Sequence, residues 1–249
     1  MKISIITAVF NNEKTVARSL LSIKEQNFEN IELIIIDGNS SDKSVSIINE
    51  IVKQDDIFIS EPDNGIYDAL NKGLSYATGD IIAFLHADDL YSDPACISQV
   101  VKIFKKKNVD IVYGDAAYFK ENKISKISRK YKSDKFSKRN LAWGKMPVHP
   151  SMFIKRSVYE KHGFFRTDLT IAGDYDFLCR IIDSNYATYY LPKTFVLMQL
   201  GGISTKRTLK NIILINKEII IALRDNNIYS NIFMVLSRYF FKIQQLIKK

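Results

Sequence analysis

Residues 79–89, Gly-Asp-Ile-Ile-Ala-Phe-Leu-His-Ala-Asp-Asp, form an apolar run that ends in two adjacent carboxylates. A short apolar run between Gly and acids predicts a strand buried on both faces. Ligands of open α/β sheets bind beyond the carboxyl ends of the strands, so we expect Asp88 and Asp89 at a ligand. Adjacent carboxylates repel each other, and a bound cation relieves that repulsion. The alternative is a solvated turn that caps the next helix, but further acids favour the ligand site.

The 249 residues are 46% hydrophobic and 25% charged, which is ordinary for a globular protein with a sizeable core. The two cysteines lie far apart, so we expect a reducing compartment and neither a disulfide framework nor a zinc site. The first residues predict a strand rather than a signal peptide, and no stretch reaches the roughly 20 apolar residues of a membrane span. The net charge of +9 predicts an anionic partner, namely a membrane surface, nucleic acid or a phosphorylated substrate.

Hydrophobic spacing predicts strands that alternate with helices in the first half of the chain, and this order indicates a parallel sheet with right-handed crossovers. The predicted strands are residues 3–10, 31–36, 57–59, the run after Asp80, and 109–112. The second half is expected to contain antiparallel strands at 113–129, a lysine-rich surface loop, strands at 149–154, 188–191 and 195–200, short helices at 157–162 and 174–182, and final helices at about 206–224 and 228–247.

Acids follow the predicted strands repeatedly. Asp37 follows the second strand, Asp63 the third, and the Asp88–Asp89 pair the fourth, while Asp174 opens a late helix. The first strand is not followed by Gly-x-Gly-x-x-Gly, and the chain lacks a Walker A sequence, so dinucleotide binding and P-loop phosphoryl transfer are disfavoured.

Seven motifs, in this order and spacing, resemble glycosyltransferase family 2 of the GT-A fold over about residues 1–205. The resemblance implies a Rossmann-like α/β fold with a mostly parallel sheet, helices on both faces, a small antiparallel portion on the acceptor side and C-terminal helices. It also implies transfer of a sugar from a nucleotide-sugar with inversion. The motifs are TAVFNN (7–12), IDGNSSD (36–42), SEPDNGIYDALNKG (60–73), ATGD (77–80), LHADD (85–89), HPS (149–151) and AGDYDF (172–177).

The resemblance assigns the acids and their neighbours to specific roles. Asp174 would be the general base that removes a proton from the acceptor hydroxyl. Asp89, with Asp88, would hold Mg²⁺ or Mn²⁺ at the diphosphate, and Asp88 would also hold the ribose. Asp37 would accept hydrogen bonds from the base. The other implied contacts are Thr7, Phe10, Asn11, Asp63 and Lys72 at the nucleotide-sugar, and His149 and Trp143 on the acceptor side.

Several of these residues also fit a purely structural role. Asp37 is equally well suited to capping the following helix, and Lys72 fits a solvated helix face. His149 precedes a proline and is more often structural, and Trp143 is more often a core residue than a sugar platform.

The chain departs from the family pattern at four places. His86 stands where many relatives have an acid, and Gly173 replaces the usual Glu of a Glu-Asp pair. Leu70 stands where relatives often have Arg, so Lys72 is the candidate for that charge. A late His that often helps to bind the metal is missing around residues 201–204, which leaves the full coordination shell open.

The C-terminal residues 206–249 are predicted to form basic amphipathic helices outside the 1–205 domain. An apolar stripe from Ile232 to Ile247, flanked by Arg238, Lys242, Lys248 and Lys249, indicates a helix that lies on an anionic membrane surface. The alternative is a helix packed on the catalytic domain or on a second subunit.

We therefore expect an inverting glycosyltransferase of a surface-polysaccharide pathway, cytoplasmic and peripheral at the inner face of the cell membrane. Residues 1–115 would bind a nucleotide-sugar, expected to be a UDP-sugar, and residues 115–205 a glycan or lipid-linked acceptor. A basic nucleic-acid-binding protein and a catalytically inactive nucleotide-binding scaffold stay as alternatives. The sequence supports a two-carboxylate glycosidase less well, and we expect no nucleic-acid partner. Whether the chain forms a homo-oligomer is left open.

Overall fold

A computed structural model describes residues 1–120, 123–133, 135–201 and 208–247 of the chain. Its strands are β1 (Ile3–Val9), β2 (Ile31–Asp37), β3 (Ile57–Ser60), β4 (Ile81–Phe84), β5 (Leu90–Tyr91), β6 (Ile111–Lys120), β7 (Lys123–Tyr131), β8 (Met152–Lys155) and β9 (Thr188–Gln199). Its helices are α1 (Val16–Lys24), α2 (Ser44–Ile51), α3 (Ile66–Tyr76), α4 (Cys96–Lys106), α5 (Lys138–Ala142), α6 (Arg156–His162), α7 (Gly173–Ile181), α8 (Leu209–Asp225) and α9 (Ile232–Ile247), with a 3₁₀ turn at His149–Ser151.

One sheet runs through the molecule in the order β3-β2-β1-β4-β8-β6-β9-β5, and β7 pairs with β6. The strands β3, β2, β1 and β4 are parallel, as are β6 and β9, whereas β8 is antiparallel to both of its neighbours. The predicted α/β architecture, a mostly parallel sheet with an antiparallel portion, is confirmed.

The strands of the parallel half are apolar on both faces because helices cover both sides of the sheet. Along β1, Ile6 packs into one buried cluster with Ile34 and Phe84, while its neighbour Ile5 packs into the other, as the two-residue period of a strand requires. Helix α3 approaches β1 closely at Gly73, where a Cβ atom would lie 2.4 Å from Cγ2 of Ile6. This packing fixes α3 against the sheet.

The structure corrects the prediction of two strands at 188–191 and 195–200. Both belong to the single strand β9, which continues through Pro192. Register shifts occur where Tyr113 pairs with Tyr190 and Asp115 with Thr194, so Pro192 lies in a bulge that requires no ladder N–H from it. The short elements β5 and α5 were not predicted, and residues 149–151 form a 3₁₀ turn rather than the start of a strand.

Helices α8 and α9 pack into the same core as α7. Ile219, Ala222 and Leu223 of α8 and Val235 of α9 are buried there, which fits the alternative of a helix packed on the catalytic domain. The prediction that Arg238 flanks the apolar stripe at the surface is wrong, because its side chain is only 7% exposed. The predicted domain boundary and Lys248 and Lys249 lie outside the described residues.

The outward side of the two helices carries several large apolar side chains. Phe233 is 81% exposed, and Leu209, Ile213 and Phe240 are exposed as well. Within the described ranges, no helix combines the length and the hydropathy that crossing a membrane would require.

Candidate functional site

The first part of the site lies where the parallel strands end. Val9, the last residue of β1, pairs with Asp37 of β2, which pairs in turn with Ser60 of β3, so the segments after these strands meet at one edge. Phe10 and Asp63 face each other across Gly38. A Cβ atom on Gly38 would lie 2.4 Å from the Asp63 carboxylate and 3.4 Å from the Phe10 ring. Phe10 is 62% exposed, so its aromatic face and the Asp63 carboxylate border the surface over Gly38, which we call the recess.

Two other residues predicted at the nucleotide hold this edge together. The buried carboxylate of Asp37 accepts hydrogen bonds from the hydroxyl and N–H of Ser40 and from the Ser60 hydroxyl, at 2.7 Å for the last. Asn11 has a φ of 51° and its side chain accepts the N–H of Ser41 at 2.9 Å. Asp37 and Asn11 thus have structural partners, and their contacts with a base stay predictions.

Of two further residues predicted at the nucleotide-sugar, Thr7 is buried in the sheet and Lys72 forms an ion pair. Thr7 is fully buried within β1, and its hydroxyl has no hydrogen-bond partner among the described residues. The Lys72 ammonium lies 2.8 Å from the Glu61 carboxylate and donates to the Pro62 carbonyl at 2.8 Å. Lys72 therefore stabilises the segment after β3 rather than simply facing solvent, and its contact with a diphosphate stays a prediction.

Asp89, the second acid of the adjacent pair, is buried. It is 2% exposed, and its Oδ1 accepts the backbone N–H of Gln199 at 3.1 Å. Burial, followed by the charge of the neighbouring Asp88, raises the pKa of the Asp89 carboxyl well above its usual range. Arg18, which the sequence analysis did not select, donates to the Asp88 carbonyl at 3.2 Å and to the Gln199 side chain at 2.8 Å. Arg18 therefore bridges α1, the acidic pair and β9.

The acidic pair fits a divalent cation that completes its shell with substrate oxygens. Asp88 and Asp89 supply two carboxylates, and the buried carboxylate of Asp89 is destabilised as an anion until a cation or proton joins it. Over the described part of the chain, no three His, Cys, Asp or Glu side chains form a metal cage. Mg²⁺ is usually held by one or two carboxylates together with substrate phosphates, which is the arrangement that these residues permit.

Asp174 lies in the first turn of α7, partly buried at the wall of a cavity of about 520 Å³. Its Oδ1 accepts the Tyr175 N–H at 2.8 Å and the Tyr67 hydroxyl at 3.1 Å. Burial raises the pKa of Asp174 to about 6, although these two hydrogen bonds lower it, and the charge of Glu218 raises it further. A carboxylate with a pKa near 6 suits proton abstraction at neutral pH.

Sequence reasoning missed Tyr67 and Glu218, which hold Asp174 in place. Tyr67, on α3, also donates to the Ile171 carbonyl at 2.8 Å. Glu218, on α8, accepts the N–H groups of the three residues 170–172, which lead into α7. Tyr67 lies inside the family motif at residues 60–73, and that position could have identified it as a site residue. Glu218 lies in no such motif, so the sequence does not indicate its role.

The cavity brings Asp174 together with His86 and His149. His149 is buried, and its ring stacks on Phe84 at a centroid distance of 4.9 Å. Burial, assisted by His86, lowers the pKa of His149 to about 3, so the imidazole is neutral. Trp143 ends α5, is 36% exposed and is not among the described residues that line the cavity, although the adjacent Gly144 is.

The site thus has two parts, the recess at the strand ends and the cavity that Asp174 lines. His86 lines the cavity, and the acidic pair begins two residues later in the chain. A negatively charged ligand with a bound cation on one side and a hydroxyl-bearing ligand beside Asp174 on the other is the chemistry that this arrangement suits.

Among solved structures, the fold is similar to TarS from S. aureus. The TarS 1–349 complex with UDP-GlcNAc aligns with a TM-score of 0.70 and 16% identity, covering 90% of this chain and 66% of that one. Against a longer TarS structure the alignment covers only 40% of that chain. The mannosyltransferase PcManGT from Pyrobaculum calidifontis, in complex with GDP-Man and Mn²⁺, aligns with a TM-score of 0.65 and 20% identity over 88% of this chain and 64% of that one. These likenesses confirm the GT-A fold.

Curated sequences show closer relatives. An uncharacterized glycosyltransferase of Mycobacterium tuberculosis is 33% identical over 181 residues, which is 72% of this chain and 68% of that protein. A PGL/p-HBAD biosynthesis glycosyltransferase of Mycobacterium bovis is 29% identical over 181 residues, covering 71% of this chain and 68% of its own length. The profile of Glycosyl transferase family 2 matches residues 4–163. The chain therefore belongs to glycosyl transferase family 2 and is a glycosyltransferase.

Proposed function

We propose that this glycosyltransferase moves a sugar from a nucleotide-sugar to an acceptor hydroxyl by direct displacement with inversion, and that Asp174 is the base. The observation that carries the proposal is the environment of Asp174: a carboxylate at a cavity wall, with a pKa of about 6, beside the segment that ends in Asp88 and Asp89. Family membership disfavours the alternative of a nucleic-acid-binding protein.

In this reaction the acceptor hydroxyl occupies the cavity beside Asp174. Its proton passes to the Asp174 carboxylate while its oxygen forms a bond to C1 of the donor sugar. The bond between C1 and the diphosphate oxygen breaks at the same time, and its electron pair leaves with the nucleoside diphosphate. Attack from the side opposite the leaving group inverts C1. Tyr67 keeps the Asp174 carboxylate oriented, because its hydroxyl donates to Oδ1.

The donor occupies the recess at the strand ends. The exposed ring of Phe10 offers a stacking face for the base, and the Asp63 carboxylate across Gly38 offers a hydrogen-bond acceptor. We infer a UDP-sugar because TarS, which shares the fold, has structures with UDP and UDP-GlcNAc. A GDP-sugar is the second candidate, since PcManGT holds GDP-Man.

Asp88 and Asp89 would hold Mg²⁺ or Mn²⁺ at the donor diphosphate. A divalent cation in this position neutralises the charge that develops on the departing nucleoside diphosphate. The buried position of Asp89 favours such a role, because its ionised carboxylate has only a backbone N–H from Gln199 as a hydrogen-bond partner in the described chain.

The acceptor is proposed to be a glycan, lipid-linked, that the enzyme meets at the inner face of the cell membrane. The exposed apolar side chains Leu209, Ile213 and Phe233 and the exposed cations Lys210 and Lys217 lie on α8 and α9. An apolar face bordered by Lys suits an anionic lipid surface.

Replacing the proposed base tests the mechanism directly. Asp174→Asn removes the proton acceptor but keeps the side-chain size, so kcat should fall by about 10³-fold while donor binding is retained. Turnover of a UDP-sugar and calorimetric binding of UDP are the measurements. The matched control is Asp183→Asn, an exposed acid after α7 that pairs with Lys138. An unchanged kcat in Asp174→Asn overturns the assignment. If the wild-type protein binds UDP but transfers no sugar, the protein is an inactive scaffold.

The pH profile tests the neighbourhood of the base. Asp174 acts as a base only when ionised, so kcat should rise with pH through about 6 and then level off. Tyr67→Phe removes a hydrogen bond that favours the ionised form, so the rising limb should move to higher pH by about half a unit to one unit. Tyr186→Phe, which loses a contact with His162 away from the site, should leave the limb in place. A limb that stays fixed or moves to lower pH in Tyr67→Phe contradicts this role.

Metal dependence is tested by nucleotide binding. With Mn²⁺ present, Asp89→Asn should weaken UDP binding at least about tenfold, since one of two carboxylate ligands is lost. With a chelator present, wild type and variant should bind UDP equally weakly. Asp80→Asn changes an exposed acid at the opposite end of β4 and serves as the control. Equal affinity of wild type and Asp89→Asn in Mn²⁺ excludes the proposed ligand role.

Membrane attachment is tested with vesicles. Phe233→Ser should reduce co-sedimentation with vesicles that contain phosphatidylglycerol, because it removes an aromatic ring of α9 that is 81% exposed. Phe164→Ser changes an exposed ring in the segment between α6 and α7 and should not. If the wild-type protein fails to sediment with anionic vesicles, the membrane proposal is lost.

A further inference from the structure

Arg238 is a buried cation whose charge no carboxylate of the described residues neutralises. One nitrogen, Nη2, donates to the Asn216 side chain and to the Tyr239 hydroxyl, both at 3.1 Å. Its Nε is buried and has no partner among the described side chains and backbone groups. Burying an unpaired guanidinium is strongly unfavourable, and both of its present partners are neutral. A bound anion would supply the missing partner.

The position of Arg238 identifies which ligand would bring that anion. Arg238 lines the same cavity as Asp174, and Asn211 and Tyr239 add hydrogen-bonding groups to the wall. A second guanidinium, that of Arg129 on β7, also lines the cavity and lies over the Tyr118 ring at 4.5 Å. These residues come from β7, α8 and α9, whereas the recess between Phe10 and Asp63 lies at the ends of the parallel strands.

We propose that Arg238 is a specificity residue that binds an anionic group of the acceptor, a phosphate or a carboxylate close to the hydroxyl that receives the sugar. This inference rests on the proposed function, because it takes the cavity beside Asp174 as the acceptor site. A guanidinium suits such a group through charge-assisted hydrogen bonds of fixed geometry. The acceptor would then be a phosphate-bearing or acidic glycan rather than a neutral one.

The single tryptophan of the chain provides a direct readout. Trp143 precedes Gly144, and a Cβ atom on Gly144 would lie 3.1 Å from Cδ of Arg238, so anion binding at Arg238 should change Trp143 fluorescence. Inorganic phosphate and glucuronate are titrated separately at constant ionic strength, without nucleotide or metal. A saturable change is expected with phosphate if the acceptor group is a phosphate, and with glucuronate if it is a carboxylate.

Variants assign the signal to Arg238. Arg238→Gln should weaken anion binding by at least about tenfold. Arg238→Lys keeps the positive charge but loses the planar pair of N–H donors, so it should weaken anion binding by less. Arg224→Gln, an exposed arginine of α8, should bind like wild type. Should Arg238→Gln fail to fold, weaker binding by a folded Arg238→Lys supports the proposal and equal binding overturns it.

The remaining outcomes are also decisive. No saturable change with either anion, or equal affinity in wild type and Arg238→Gln, overturns the proposal. Because the titration requires neither donor nor turnover, this result is independent of the Asp174→Asn assay. The anion site can therefore fail while the proposed transfer reaction stands, and the reverse also holds.

Discussion

The carboxylate of Glu218 connects helix α8 to the segment that leads into α7 and Asp174. It accepts the backbone N–H groups of Thr170, Ile171 and Ala172 at 2.9, 2.8 and 2.9 Å. These N–H groups precede the first turn of α7, where a helix leaves donors unpaired and carries partial positive charge. A buried carboxylate at this point both satisfies the donors and fixes the backbone that presents Asp174. Its charge, added to the effect of burial, also raises the pKa of Asp174.

The two parts of the site consequently depend on different parts of the chain. The recess lies among segments that follow the neighbouring parallel strands β1, β2 and β3. The cavity is lined by residues of β7, α7, α8 and α9. In the proposed reaction, Asp88 and Asp89 would hold the cation at the donor diphosphate, and Arg238 would bind an anionic group of the acceptor. Side chains of opposite charge would then separate the two ligands.

Local patterns predicted much of the sheet and helix order, because strands buried on both faces and amphipathic helices have clear hydrophobic periods. The contacts around Asp174 could not be predicted from such periods, because they join residues far apart in the sequence. Tyr67 and Asp174 are 107 residues apart, and the hydrophobic period of neither helix indicates that their side chains are in contact. For α9 the period predicted an apolar stripe but not what covers each face, and so Arg238 was assigned to the surface although it is buried. At Pro192 the local rule against proline in strands was overridden by a bulge.

The absence of an acid at position 173 has a physical cause in this chain. A Cβ atom on Gly173 would lie 2.9 Å from atoms of the Tyr67 ring, so a side chain at this position and the ring compete for one space. The ring occupies that space here, and its hydroxyl reaches Asp174. An acid beside Asp174 would raise its pKa through repulsion, whereas here burial and the more remote Glu218 do so and Tyr67 opposes them. The pKa of Asp174 is therefore set by burial, together with a phenol and a carboxylate from two other helices, instead of by its neighbour in sequence, and the close approach of the Tyr67 ring makes glycine at 173 a requirement of the Tyr67 contact.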